Sequence, residues 1–104
     1  MARIIAGWAR SEPVFRKAFL YGSVARNEWK PGSDIDVAIQ LNWRPAVEVE
    51  LAVWGFEGDR LAESLQVLLP APLQLEWYDP VETPIVHNGI VQSSTLVYDQ
   101  ARTA

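Results

Sequence analysis

Residues 34–41 constrain the fold most, because their side chains alternate strictly between apolar and polar or small. The apolar positions are Ile35, Val37, Ile39 and Leu41. This period of two predicts a half-buried strand. Residues 14–21, rich in β-branched and aromatic side chains, predict another strand that ends at Gly22. The link between the two is too short for a crossover helix, which favours antiparallel neighbours.

The remaining segments predict helices and strands that interleave. Residues 2–11 have helical spacing up to Pro13, and residues 46–69 carry an apolar stripe at helical steps. That stripe consists of Val47, Leu51, Trp54, Leu61, Leu65 and Leu68, with Gly55 and Gly58 as positions where the helix can break or bend. A strand over 73–78, a helix over 83–92 and a strand over 95–98 follow. The predicted class is α+β (mixed α/β), a mixed sheet flanked by helices in one domain over residues 1–104.

Composition excludes several classes of function. The 104 residues contain no cysteine and one histidine, which excludes thiolate metal sites, cysteine nucleophiles and zinc sites made of histidines alone. The net charge of −4 argues against direct nucleic-acid binding. No apolar run approaches the length of a membrane span, and the first residues lack the features of a signal peptide. We therefore expect a cytoplasmic protein that does not bind membranes.

Three carboxylates are the candidate chemical groups. Asp34 and Asp36 lie two residues apart on a predicted strand, so they share a face. Carboxylates this close favour a bound cation or a shared proton, and oxygen ligands suit Mg²⁺ or Mn²⁺. Glu76 lies on the polar face of the strand over 73–78, whereas Asp79 falls on the apolar face. Asp34, Asp36 and Glu76 on adjacent strands could hold two divalent ions, as phosphoryl or nucleotidyl transfer requires.

A glycine-serine bend is the second candidate feature. Gly22 and Ser23 end the first predicted strand, and ten residues separate them from Asp34. Glycine lets a ligand approach the backbone closely, and the Ser23 hydroxyl with free N–H groups can bind phosphate. Arg26 adds positive charge nearby. We therefore expect Gly22, Ser23 and Arg26 to bind phosphate.

Together these residues resemble the signature of the minimal nucleotidyltransferase (MNT) family of the DNA polymerase β superfamily. The segments LYGSVARN (20–27) and SDIDV (33–37) are similar to that family's glycine-serine and Asp-x-Asp block. The segment LEWYD (75–79) stands where the family has its third acidic strand, and residues 90–98 are similar to its terminal element. Asn27 replaces the usual glycine, and Glu76 the usual aspartate. The resemblance covers most of the chain.

The resemblance implies the polymerase β-like nucleotidyltransferase fold and a reaction. An acceptor hydroxyl would attack the α-phosphorus of ATP, with two Mg²⁺ ions held by Asp34, Asp36 and Glu76. Small proteins of this family commonly pair with a HEPN RNase toxin and act as its antitoxin by transferring AMP to a tyrosine. That implies a HEPN partner and a hetero-oligomer. No arginine lies four to six residues before His87, so the chain lacks the toxin's own motif.

Two other functions remain open. A catalytically weak or inactive module would neutralise its partner by covering it, and a third reading is transfer to a small molecule such as an aminoglycoside.

Several residues outside this signature carry structural expectations. Trp54 and Trp77 fit the core, His87 fits a surface or structural role, and Lys30 a solvated loop. Three tryptophans lie among polar residues, as exposed anchors for a partner or as partly buried side chains: Trp8, Trp29 and Trp43. Four glutamates are expected on the solvated face of the long helix: Glu48, Glu50, Glu57 and Glu63.

Overall fold

A computed structural model describes residues 1–12, 15–22, 34–41 and 47–103 of the chain. Helices and strands interleave along it, as the sequence pattern predicts. The elements in chain order are α1 (Ala2–Arg10), β1 (Phe15–Tyr21), β2 (Ile35–Leu41), α2 (Val47–Gln66), β3 (Leu73–Trp77), α3 (Pro84–Gln92), β4 (Ser94–Asp99) and α4 (Gln100–Thr103). Sequence patterning did not indicate α4. The predicted first residue of β1, Val14, lies outside the described residues.

The described strands form one mixed sheet in the order β3-β2-β1-β4. β1 pairs antiparallel with β2, which confirms the expectation from their short link, and it also pairs antiparallel with β4. β2 and β3 are parallel, so α2 serves as the crossover between them. The predicted fold class, α+β with a mixed sheet flanked by helices, is confirmed.

One face of the sheet packs against α1 and α2 in the main core. The odd-numbered apolar residues of β2 point to this face and are fully buried or nearly so. Trp77 is buried here and Trp54 packs against the cluster, as expected. Trp8 is also buried, so of its two expected environments, an exposed anchor or a partly buried side chain, burial in the core is the one observed. Its ring lies 4.7 Å from that of Phe15, and its indole Nε1 donates to Ser64 Oγ at 2.8 Å. Trp29 and Trp43 lie outside the described residues.

Helix α2 is continuous through Gly55 and Gly58, so neither residue breaks it. The predicted apolar stripe is only partly buried. Leu61 and Leu65 are fully buried, but Leu51 and Leu68 are about half exposed, at 50% and 49%.

The opposite face of the sheet packs against α3. Tyr78, just after β3, forms a hydrogen bond of 2.7 Å between its hydroxyl and His87 Nδ1, and the two rings stack. Phe19 packs edge-on against Tyr78. The structural role expected for His87 is therefore the one observed. Thr83 precedes α3 as predicted, but its hydroxyl bonds the backbone of Asp79 rather than capping the helix.

Glu50 differs from the expectation of a fully solvated glutamate. Its Oε1 accepts hydrogen bonds from the Leu41 backbone N–H at 3.0 Å and from the Trp77 indole at 2.9 Å. Its place in the first turn of α2 lies over the ends of β2 and β3, so its carboxylate joins all three elements. Among the described residues, no helix is long and apolar enough to cross a membrane.

Candidate active site

The bend after β1 brings the backbone of Gly22 against the side chain of Asp36. Gly22 has φ of +71°, a left-handed conformation that favours glycine. A Cβ atom at this position would overlap Asp36 Oδ2 and lie 3.3 Å from Asp36 Cγ. Two features of position 22 therefore require glycine: the left-handed backbone conformation and the closeness of the Asp36 carboxylate.

The sheet register places Asp36 and Glu76 on the same face. In the parallel β2–β3 pair, Asp36 is opposite Gln74 and Ala38 is opposite Glu76. Because paired residues point the same way and alternate residues share a face, both carboxylates lie on the α3 side of the sheet. Strand spacing and rise put their Cα atoms about 8 Å apart. This confirms the expected face for Glu76, and its side chain is exposed.

Tyr21 lies between these carboxylates and α3. It pairs with Asp36 across the antiparallel β1–β2 ladder. Burial, together with the negative charges of Asp36 and Glu76, raises the pKa of Tyr21 to about 12. The phenol therefore stays protonated at neutral pH.

Asp34 and Asp79 differ in their surroundings. Asp34 is exposed just before β2, and its Oδ2 accepts a hydrogen bond of 3.3 Å from Gln74, the cross-strand partner of Asp36. Asp79 Oδ2 instead accepts from the backbone N–H groups of Val81 and Glu82 in the turn before α3. Asp79 is thus a turn residue, and the choice of Glu76 over it as a site residue stays a prediction.

The carboxylates offer the oxygen donors that suit a hard divalent cation. Within the described ranges, no three acidic or imidazole side chains already form a group that could hold one ion. Mg²⁺, however, is usually held by one or two carboxylates plus substrate phosphates, and the Asp36–Glu76 face provides two carboxylates. Metal binding by Asp34, Asp36 and Glu76 stays a prediction. Ser23, Arg26 and Asn27 lie outside the described residues, so their expected contacts with phosphate also stay predictions.

Sequence reasoning missed Tyr21 and Gly89 as neighbours of the site. A Cβ on Gly89 would lie 3.2 and 3.3 Å from two carbon atoms of the Tyr21 ring, so α3 approaches the ring closely there. The strand alternation did contain a signal for Tyr21. This residue points to the other face of β1 from the buried Leu20, and it directly precedes Gly22. Gly89 carried no comparable signal, since its contact depends on how α3 packs.

The structure is an α+β domain whose mixed sheet has acidic side chains on one face, beside a left-handed glycine bend. These two features together are suited to binding phosphate groups. The chain belongs to the nucleotidyltransferase domain family, whose model matches residues 3–78. The matched range contains Gly22, both aspartates and Glu76, and it ends before α3. No curated protein sequence matches the chain.

Several solved structures with similar folds are of toxin–antitoxin complexes. A chain in the crystal structure of a toxin–antitoxin with AMP-PNP has a TM-score of 0.70 at 18% identity, over 98% of this chain and 76% of that one. A chain in the structure of tri-AMPylated Shewanella oneidensis HEPN toxin with MNT antitoxin has a TM-score of 0.61 at 17% identity, over 98% and 72%. A chain of the toxin–antitoxin MntA-HepT gives 0.61 at 17% identity, over 98% and 73%.

Proposed function

We propose that this chain is a magnesium-dependent nucleotidyltransferase that moves AMP from ATP to a hydroxyl of a partner protein. The proposed partner is a HEPN-type RNase toxin, for which the chain acts as antitoxin within a hetero-oligomer. Residues 1–104 would act as one domain, and the cytoplasm, which the sequence favours, supplies ATP.

The observation that carries this proposal is the contact between Gly22 and Asp36. The left-handed bend brings the Gly22 backbone directly against the Asp36 carboxylate, and Glu76 lies on the same sheet face. A bound triphosphate needs both features, because its phosphates require a close backbone and its countercharges require oxygen ligands. The match of residues 3–78 to the nucleotidyltransferase domain supports the same reading.

The reaction assigns a role to each proposed site residue. Gly22, Ser23 and Arg26 would bind the β- and γ-phosphates, while Asp34, Asp36 and Glu76 would hold two Mg²⁺ ions. Divalent ions bound there would neutralise phosphate charge and make the acceptor hydroxyl easier to deprotonate. The acceptor oxygen forms a bond to the α-phosphorus, and the bond from that phosphorus to pyrophosphate breaks. Pyrophosphate leaves with the bonding electron pair, and the hydroxyl proton is released to the acidic face.

The proposed partner follows from what the similar structures contain. One of these structures contains a tri-AMPylated HEPN toxin with its MNT antitoxin, and another contains a toxin–antitoxin with AMP-PNP. The fold of this chain is similar to chains of those assemblies over nearly its whole length. These likenesses support the choice of an RNase toxin as the first acceptor to test.

Transfer of labelled AMP tests the proposal. The purified chain is mixed with Mg²⁺, α-labelled ATP and the protein encoded by the neighbouring gene, with and without EDTA. We expect label on a hydroxyl side chain of that protein, lost with EDTA and reduced at least about 100-fold in Asp36→Asn. Asp59→Asn, an exposed aspartate on α2, is the matched control and should retain transfer. Absence of label with the wild-type chain, or equal labelling by Asp36→Asn, would reject the enzyme.

A second candidate is a module that neutralises its partner by binding alone. Two departures from the family signature, Asn27 in place of glycine and Glu76 in place of aspartate, favour it. The double substitution Asp34→Ala with Asp36→Ala separates the two functions in a growth assay with the toxin. If this variant protects cells as well as wild type, binding suffices; if protection is lost while complex formation persists, transfer is required.

A further inference from the structure

The ring of Tyr21 connects helix α3 to the acidic face. The Tyr21 ring packs in the small cluster under α3, together with Phe19 and Val86 around the buried Ile90. Gly89 approaches the same ring so closely that a Cβ there would lie 3.2 Å from it. On its other side, Tyr21 faces the site, since Asp36 is its cross-strand partner and Gly22 its chain neighbour.

The position of α3 is itself defined by specific contacts. The Tyr78–His87 hydrogen bond of 2.7 Å holds one part of the helix against the end of β3. Ile90 is buried against the sheet one residue after Gly89. The helix therefore has little freedom to retreat from Tyr21, and any atom added at residue 89 must displace the ring.

We propose that Tyr21 is a positioning residue for the acidic site, held in place by Gly89 of α3, and that its hydroxyl orients the carboxylate of Asp36, its cross-strand partner. This rests on the proposed nucleotidyl transfer, whose site it completes. The phenol has one hydrogen-bond donor and no charge, so it can orient one carboxylate without adding charge. Misplacement of reacting groups by a fraction of an ångström is enough to slow a transfer reaction.

Two substitutions test the position of the Tyr21 ring and the role of its hydroxyl separately. Tyr21→Phe keeps the ring that packs on Gly89 and removes only the donor. Gly89→Ala keeps the hydroxyl and forces the ring to move by a few tenths of an ångström. We expect each to lower kcat about tenfold while KM for ATP changes less than about twofold, because neither residue is proposed to bind the nucleotide.

The chain offers matched controls for both. Tyr98 is a buried tyrosine in the opposite core, so Tyr98→Phe removes a buried hydroxyl away from the site. Gly7 lies in α1 with no atom within 4 Å of an added Cβ, so Gly7→Ala adds a methyl group to a helix without contact. Both controls should retain wild-type kcat.

The double variant gives the sharpest outcome. If Gly89 acts through the Tyr21 hydroxyl, Gly89→Ala should cost little further kcat once Tyr21 is phenylalanine. Independent, multiplicative losses would show that residue 89 acts by another route and would overturn the pairing.

An NMR measurement separates failure of this proposal from failure of the proposed function. Amide shifts of Gly22 and Asp36 should change in Gly89→Ala and stay unchanged in Gly7→Ala, whether or not the chain transfers AMP. If wild type is inactive but these shifts appear, nucleotidyl transfer is rejected and the positioning contact stands. If wild type is active, and Tyr21→Phe and Gly89→Ala both keep its kcat and its shifts, the positioning role is wrong and transfer stands.

Discussion

Asp36 Oδ2 occupies the space that a side chain on Gly22 would fill. The bend after β1 and the acidic face are thus one structure, in which the backbone conformation of one residue admits the carboxylate of the other. Because Gly22 also has a positive φ, these two demands fall on a single residue.

Replacement of Gly22 by alanine is expected to damage both stability and activity. The left-handed backbone disfavours a side chain by about 1–3 kcal/mol, and the new methyl group displaces the Asp36 carboxylate. Urea denaturation measures the first effect and AMP transfer the second. Gly7→Ala should instead stabilise the fold by roughly 0.5–1 kcal/mol, since α1 has room for it. A Gly22→Ala variant as stable and active as wild type would contradict the contact.

The free energy of unfolding should fall in alkaline solution because of Tyr21. Its pKa is raised from 10.0 to about 12 in the folded chain. Below pH 10 the phenol is protonated in both states, so its contribution to stability is fully present there. Between pH 10 and 12 the unfolded chain releases the proton first, and stability is lost. Urea titrations across this range should show a smaller decline for Tyr21→Phe than for wild type. An identical decline in both would refute the assignment.

Loss of the Glu50 carboxylate should weaken the junction of α2 with β2 and β3. Glu50→Ala leaves two donors, the Leu41 N–H and the Trp77 indole, without their acceptor, which costs about 1–3 kcal/mol. The change should also alter Trp77 fluorescence. Glu63→Ala, on the exposed side of the same helix, should stay within about 0.5 kcal/mol of wild type. Equal effects of the two substitutions would be inconsistent with the observed hydrogen bonds.

The contact between Tyr78 and His87 should appear as a coupling energy. The double-mutant cycle uses Tyr78→Phe and His87→Phe. An aromatic ring is kept at both positions while the hydrogen bond is removed. We expect a coupling of about 0.5–1.5 kcal/mol in urea denaturation. Additive effects would mean that the bond contributes nothing to the docking of α3.

Local sequence patterns predicted most of the helices and strands, and they predicted the sheet face on which Glu76 lies. The alternation over residues 34–41 predicted β2, and the short link after Gly22 predicted its antiparallel partner. The parity of residues 73–78 placed Glu76 on the correct face. These features depend on neighbours in sequence, where side-chain period and link length act directly.

Features that depend on packing between distant segments were not predicted. Trp8 lies among polar residues in sequence, yet the fold places it in the core beside Phe15. Glu50 looked solvated because helical periodicity says nothing about the strand ends that it meets. The approach of Gly89 to Tyr21 joins residues 68 positions apart and needs the sheet, α3 and its register all at once.

The sheet order also has a consequence for how the protein is made. β1, which ends at Gly22, is an interior strand only because β4, formed by Ser94–Asp99, covers its second edge. During synthesis, that edge stays unpaired until residues 94–99 have emerged from the ribosome. A nascent chain stalled before residue 94 would expose an open β-edge that can pair with another chain.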